Sequence, residues 1–189
     1  MPHILWEIDD KKRVFLTFDD GPTPGITEFI LDTLAQYNAK ATFFCLGKNA
    51  EQYPELTKKI LAAGHKLGNH TTNHLKGWKV TGEAYAEDIA HTERIFHSEF
   101  FRPPYGRVGL RKIRMVARKY RIVLWTVISQ DYARQYTPEQ CLRKVTRFVK
   151  PGHIVVFHDS WKAWKNMSYA LPRTLEYIYS KGYTCDVID

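Results

Sequence analysis

Short apolar segments alternate with amphipathic segments along nearly the whole chain, and this alternation limits the possible folds more than any other feature. Buried strands are predicted at 14–16, 41–46, 66–68, 100–102, 121–128, 153–157 and 182–187. Helices are predicted between them, at 26–37, 51–63, 83–97, 110–119, 138–149 and 169–180. Strands that alternate with helices pair in parallel through right-handed crossovers, so the sequence predicts an α/β fold.

Polar residues follow the carboxyl ends of five predicted strands, at 19–20, 70–74, 102–106, 131 and 158–159. An open doubly wound sheet would spread these positions along an edge, whereas a barrel would gather them on one face. We therefore expect a deformed or incomplete (β/α) barrel of about seven parallel strands. Because no linker or low-complexity segment interrupts the 189 residues, we expect one domain over 1–189.

Composition and charge exclude several classes of protein. The net charge of +8 would attract polyanions, but the basic residues of 110–119 are interleaved with apolar ones at helical spacing, so we expect a solvated helix face and no nucleic-acid partner. No apolar segment has the length of a membrane span. Residues 1–13 lack the apolar core of a signal peptide, which makes the cytoplasm the default expectation. The oligomeric state does not follow from the sequence.

Two histidines and a carboxylate form a candidate metal site. His70 and His74 are four residues apart, so one helical turn or a tight loop would bring both rings to one side. Asp20 adds an oxygen, and three protein ligands with one open position are typical of catalytic zinc, so we expect a divalent metal, with zinc as the first choice. In the alternative interpretation the histidines decorate a polar loop, and residues 19–22 form an ordinary turn.

Asp19, Arg102 and His158 are the further candidates for chemistry. Two prolines stiffen the segment 101–106, which would hold Arg102 beside a buried Asp19 and keep that carboxylate ionised. His158 ends the strand at 153–157 and can titrate near neutrality, which suits a general acid. The alternatives are an exposed arginine on a structural turn and a histidine with a structural role.

Five motifs occur in a fixed order along the chain. They are Thr-Phe-Asp-Asp-Gly-Pro at 17–22, His-Thr-Thr-Asn-His at 70–74, Arg-Pro-Pro-Tyr-Gly at 102–106, the segment 125–132, and Val-Phe-His-Asp at 156–159. Together they resemble the polysaccharide deacetylase family with the NodB homology domain, carbohydrate esterase family 4. Members of that family are metal-dependent enzymes that remove N- or O-acetyl groups from sugar polymers. The resemblance implies a deformed (β/α) barrel.

The resemblance also implies a role for each matched residue. The implied metal ligands, usually of zinc, are Asp20, His70 and His74. The implied catalytic residues are the general base Asp19, its partner Arg102 and the general acid His158. The implied substrate contacts are the backbone N–H of Tyr105, which would bind the oxyanion, and the acetyl-pocket residues Tyr132 and Val156.

One motif departs from the family pattern. The family commonly has Asp-x-x-Asp-Trp, whose first Asp orients the catalytic histidine, whereas this chain has Ile128 at that position and Tyr132 in place of Trp. Ile128 cannot hydrogen-bond an imidazole, so either Asp131 or another group must orient His158. Tyr132 keeps an aromatic wall and adds a hydroxyl.

We therefore expect a metal-dependent hydrolase that releases acetate from N-acetylated amino sugars, in a glycan of the peptidoglycan or chitin type. The alternatives are an O-acetyl polysaccharide esterase and a non-catalytic carbohydrate-binding protein on the same fold. Trp161 and Trp164 follow His158 in the sequence. They are suited equally to stacking on sugar rings and to packing their loop against the last helix.

Overall fold

The computed structural model describes residues 4–189, so residues 1–3 of the predicted domain and of the N-terminal segment lie outside the described residues. The strands are β1 Ile4–Leu5, β2 Arg13–Asp19, β3 Ala41–Cys45, β4 Lys66–Asn69, β5 Phe100–Phe101, β6 Arg121–Val123, β7 Val127–Ile128, β8 Ile154–His158 and β9 Thr184–Cys185. The α-helices are α1 Ile26–Ala35, α2 Gly47–Gln52, α3 Pro54–Ala62, α4 Gly82–Ile95, α5 Leu110–Val116, α6 Pro138–Phe148 and α7 Trp164–Ser180. A short 3-10 turn covers Pro104–Gly106.

The strands form one curled parallel sheet in the order β1-β6-β5-β4-β3-β2-β8-β7, and β9 pairs with the start of β2. Although β6 and β7 are consecutive in sequence, they lie near opposite ends of this order. The short segment between them therefore closes the curl, with Leu124 N bonded to Leu5 O at 2.7 Å and Thr126 N bonded to Ile154 O at 3.1 Å. The predicted deformed (β/α) barrel is confirmed.

The strand count and several helix boundaries differ from the sequence prediction. The predicted strand 121–128 is two strands, and β1 was not predicted, so residues 4–189 contain nine strands instead of about seven. The predicted helix 51–63 is divided into α2 and α3, because Pro54 has no N–H and occupies the first turn of α3. The last helix starts at Trp164, five residues earlier than predicted.

Apolar side chains fill both faces of the sheet. Phe15, Phe44, Val123 and Ile154 belong to a cluster inside the curl. Successive residues of a strand point to opposite faces, so Leu16 and its neighbours on other strands instead pack outward against α1, α6 and α7. A third cluster joins β5 and β6 to α4 and α5. The sheet is therefore buried on both faces, which agrees with its continuous apolar strands.

The described residues bear on one further expectation from the sequence, the lack of a membrane span, and also show the state of the cysteines. Over 4–189, the structure has no helix that is both long and apolar enough to cross a membrane. The three cysteines, Cys45, Cys141 and Cys185, are free thiols and all are buried.

Candidate active site

The carboxyl end of β2 places two adjacent carboxylates in different environments. Asp19 is 4% exposed and pairs in register with His158 of β8. Asp20 leaves the strand with φ of 79°, a conformation that aspartate tolerates better than most residues, and its side chain is partly exposed. The next residue must be glycine, since a Cβ on Gly21 would lie 2.1 Å from Asp159 Oδ2. The strand end therefore directs Asp19 inward and Asp20 toward the mouth of the barrel.

Asp159 holds the turn that follows these carboxylates. Its backbone N–H donates to Asp19 O at 2.8 Å, and its carbonyl accepts from Thr23 Oγ1 at 2.7 Å. Its Oδ2 accepts from Thr27 Oγ1 at 2.7 Å. Burial raises the pKa of Asp159 to about 8, so this side chain carries little charge at neutral pH. The turn is thus fixed by neutral hydrogen bonds beneath the site.

Asp20, His70 and His74 bring one ligand atom each into a group whose members all lie within 4.8 Å of one another. Asp20 Oδ1 is 3.7 Å from His70 Nε2 and 3.4 Å from His74 Nε2. His70 Nδ1 is 2.8 Å from the carbonyl oxygen of Arg102, which can only accept, so Nδ1 carries the proton and Nε2 presents a lone pair. Two imidazole nitrogens and one carboxylate oxygen are a donor set that suits a divalent transition metal.

Burial keeps both histidines neutral, which is the form that binds a metal. It lowers the pKa of His70 to about 3, against the opposing effect of Asp20. It also lowers the pKa of His74, again against the effect of Asp20. Each ring is therefore ready to bind a cation at neutral pH without releasing a proton.

The loop between the two histidines is a tight loop, which was one of the two geometries expected from the sequence. Thr71 and His74 have φ of 65° and 55°. Asp88 of α4 accepts from the backbone N–H groups of Thr72 and Asn73, at 3.0 Å and 3.1 Å, through one carboxylate oxygen. Its other oxygen accepts from Asn73 Nδ2 at 2.6 Å. Asp88 thus fixes the loop that carries the histidines, and sequence reasoning did not identify it.

Arg102 is fully buried inside the barrel beside Asp19. Its Nη1 donates to Asp19 Oδ1 and to Thr17 Oγ1, both at 2.7 Å. Its Nε and Nη2 donate to the carbonyls of Val123 and Leu124, at 3.2 Å and 3.0 Å. Burial lowers the pKa of Arg102, and the Asp19 carboxylate opposes that lowering. The predicted contact with Asp19 is present, and the same guanidinium binds the segment that closes the barrel.

His158 is held by Asp131, which decides between the alternatives left open by Ile128. Asp131 Oδ1 is 2.8 Å from His158 Nδ1, and Asp131 Oδ2 accepts from the backbone N–H of His158 at 2.8 Å. Burial alone would lower the pKa of His158, but the charge of Asp131 and this hydrogen bond raise it to about 9. His158 is therefore protonated at neutral pH.

The reaction cleft is a cavity of about 210 Å³ that brings these groups together. It is lined by Asp19, Asp20, His70, His74, Tyr105, Gly106, Trp125, Ile128, Tyr132, His158 and Lys162. Trp125 begins the motif segment 125–132 but was not assigned a role from the sequence, and Lys162 was not predicted. Val156 is fully buried on β8 and is not part of this lining. Val156 precedes His158 by two residues on β8, so both side chains point to the same face of the sheet, and Val156 lies one layer deeper in the barrel.

Aromatic side chains form the rim of the reaction cleft. The Tyr105 ring lies 4.7 Å from that of His74 and 5.4 Å from that of Trp78, and Tyr105 is 54% exposed. Tyr132 lies 4.7 Å from the His158 ring. Of the two tryptophans predicted near the site, Trp164 packs edge-on against Phe29 at 5.1 Å. Trp161 is instead 68% exposed.

Comparison with known proteins identifies relatives over most of the chain. The family model described as Polysaccharide deacetylase matches residues 7–125. A peptidoglycan-N-acetylglucosamine deacetylase of Bacillus cereus is 33% identical over 96% of this chain and 89% of its own length. The peptidoglycan-N-acetylglucosamine deacetylase PgdA of Listeria monocytogenes is 34% identical over 94% of this chain, which spans 38% of that longer protein.

A solved structure shows the same fold. The crystal structure of a peptidoglycan N-acetylglucosamine deacetylase in complex with 4-naphthalen-1-yl-N-oxidanyl-benzamide superposes with a TM-score of 0.92. The alignment covers 99% of this chain and 91% of that one, at 31% sequence identity.

Proposed function

The chain belongs to the polysaccharide deacetylase family, and we propose that it hydrolyses N-acetyl groups of amino sugars in a glycan and releases acetate. The observation that carries this proposal is the convergence of three groups in one cleft. Asp19, which is bonded to Arg102, and His158, which is bonded to Asp131, line the same cavity as the donor set of Asp20 and the two histidines. The relatives from Bacillus cereus and Listeria monocytogenes are also named as peptidoglycan-N-acetylglucosamine deacetylases.

Asp20, His70 and His74 would hold a divalent metal, and zinc fits their two nitrogens and one oxygen best. The three residues leave room for a further ligand, as catalytic zinc sites do. When bound, the ion supplies a Lewis acid for the acetyl carbonyl and lowers the pKa of water to about 7. The fixed tautomer of His70 and the neutral state of both rings support this assignment.

Asp19 acts as the general base in this proposal. Arg102 Nη1 donates a hydrogen bond to Asp19 Oδ1 at 2.7 Å, and this bond orients the carboxylate and stabilises its charge inside the barrel. The other oxygen, Oδ2, lies 4.0 Å from His70 Nε2, at the edge of the donor set. It can therefore accept the proton of a water molecule that attacks the acetyl carbon.

His158 acts as the general acid. Its Nδ1 is bonded to Asp131, so the proton on Nε2 is available to the cleft. An amine is a poor leaving group unless it is protonated as the carbon–nitrogen bond breaks, and His158 carries a proton at neutral pH. A protonated His158 therefore favours the hydrolysis of N-acetyl amides over that of O-acetyl esters. The alkoxide that leaves from an ester depends less on a proton donor than the amine that leaves from an amide.

The walls of the cleft would position the acetyl group. We place the oxyanion at the backbone N–H of Tyr105, whose φ of 62° turns the chain at the rim. The acetyl methyl would lie against the apolar wall of Ile128, Trp125 and the Tyr132 ring. Val156 would support this wall from the layer below.

Acetate release tests the proposal. The protein is stripped with a chelator, reloaded with zinc or other divalent metals, and given N-acetylglucosamine oligomers, peptidoglycan and O-acetylated xylan. We expect metal-dependent acetate from at least one N-acetylated glycan. Release from the xylan alone would favour the esterase alternative. Sugar binding without metal-dependent hydrolysis of any substrate would favour the non-catalytic alternative.

A further inference from the structure

A groove of about 450 Å³ adjoins the reaction cleft. Asp20 and His74 line both cavities, so the groove and the cleft adjoin at the proposed metal site. A polymeric substrate that places one sugar in the cleft must run out along the surface on either side. The groove offers a place where the neighbouring sugar of the same strand can bind.

The walls of this groove combine aromatic and amide side chains. Trp161, which is 68% exposed, and Tyr53 supply aromatic surface, while Asn49 and Gln52 supply amides. Asn49 Nδ2 donates to Asp20 O at 2.8 Å, so this wall is tied to the proposed metal site. Sugar rings present apolar faces and hydroxyl edges, which aromatic planes and amides can bind together.

Lys48 gives the groove a positive charge. It is exposed, and its ammonium makes no hydrogen bond or ion pair within residues 4–189. Its backbone N–H donates to Thr72 O at 3.4 Å, which ties its position to the histidine loop. Among the described lining residues, Asp20 is the one carboxylate.

We propose that this groove binds the sugar next to the one that is deacetylated and that Lys48 pairs with a carboxylate on that sugar. The preferred substrate is then a glycan whose acetamido sugars neighbour carboxylate-bearing sugars, in contrast to an uncharged chitin-type chain. This inference rests on the proposed deacetylation. Two observations support it: the groove adjoins the cleft at Asp20 and His74, and the charge of Lys48 is unpaired within the described residues.

Two matched ligands and three variants test the inference. The ligands are a short peptide-free peptidoglycan strand with free lactyl carboxylates and the same strand with those carboxylates methyl-esterified. The variants are Lys48→Gln, Lys48→Arg and, as a control that removes the same charge elsewhere, Lys58→Gln. Lys58 is 71% exposed on α3 and pairs with Glu55, outside the groove. Thermal melting of each variant checks that the fold is retained.

We expect Lys48→Gln to lower kcat/KM about fivefold on the free-acid strand, mainly through KM, which is the size of an exposed ion pair. The ester strand should show no such loss, Lys48→Arg should retain the preference, and added salt should weaken it. An equal loss on both strands, or no loss on either, would overturn the inference and leave the deacetylase proposal intact. If wild-type protein releases no acetate, the proposed function fails, and binding followed by tryptophan fluorescence decides the inference. Equal binding of both strands overturns it, whereas a Lys48-dependent preference for the free acid supports it.

Discussion

Asp131 holds His158 at two points, through Oδ1 to the ring Nδ1 and through Oδ2 to the backbone N–H, each at 2.8 Å. The two bonds hold the proton on Nδ1 and fix the orientation of the ring. Ile128, the position where the family commonly has an orienting carboxylate, forms part of the apolar wall of the cleft instead. The chain thus keeps an orienting carboxylate, three residues later in the sequence.

Asp131→Asn should change the pH dependence of activity and also lower kcat/KM. The pKa of His158 is raised to about 9, so the acid is protonated below that pH, and wild-type activity should fall as pH rises through about 9. Without the carboxylate, the effect of burial dominates and the pKa falls, so the basic limb should move to lower pH. We expect kcat/KM to drop about 100-fold at neutral pH. Acetate release measured from pH 6 to 10 gives both quantities.

An unchanged basic limb in Asp131→Asn would show that another group sets it. Glu139→Gln is the matched control, because Glu139 is an exposed carboxylate at the start of α6. It should leave the pH profile as it is in the wild type.

Asp19→Asn should stop turnover and leave the metal in place, whereas His70→Ala should lose the metal. In the proposed mechanism Asp19 is the base, and removal of such a group costs about 100-fold to 10,000-fold in rate. His70 provides one of the three proposed ligand atoms. Metal content after dialysis, measured by elemental analysis beside acetate release, separates the two roles. Loss of metal in Asp19→Asn would mean that Asp19 belongs to the ligand set.

Asp88→Asn should weaken metal binding although it replaces none of the three proposed metal ligands. One carboxylate oxygen accepts from the N–H groups of Thr72 and Asn73, between the two histidines, and the other accepts from Asn73 Nδ2. An asparagine has a single accepting oxygen, so one side of this network loses its acceptor. Loss of such supporting bonds typically lowers metal affinity about 10-fold to 100-fold. Competition with a metallochromic chelator gives the dissociation constant. Glu83→Gln, an exposed change on the same helix, should leave it unaltered.

Arg102→Lys should destabilise the closed barrel. A lysine ammonium cannot reach Asp19, Thr17 and the carbonyls of Val123 and Leu124 together, because it lacks the forked geometry of the guanidinium. A hydrogen bond that involves a charged group contributes about 1.5 to 3 kcal/mol, and we expect at least two to be lost, so unfolding should become easier by about 3 kcal/mol or more. Urea unfolding of the metal-free protein measures the loss apart from any effect on metal binding. A loss below about 1 kcal/mol would mean that the guanidinium does not stabilise the closure.

The sequence predicted the elements of the fold better than their boundaries. Alternating apolar and amphipathic segments set the parallel α/β class, since that pattern depends on local periodicity. The break at 124–126 could not be seen, because all eight residues of 121–128 favour a strand or tolerate one. A long-range contact occurs at this break, where the Arg102 guanidinium donates hydrogen bonds to the carbonyls of Val123 and Leu124.

By itself, the sequence determined which residues we propose for the chemistry, because carboxylates and imidazoles at strand ends in a fixed order are a local and recognisable signal. Tertiary structure decided how those residues are held and what surrounds them. Asp131 and Asp88 reach the site through hydrogen bonds across 27 and 15 to 16 residues of chain. The groove around Lys48 and Trp161 joins segments more than a hundred residues apart in the chain. Such contacts depend on how the barrel closes, and no local pattern in the sequence encodes them.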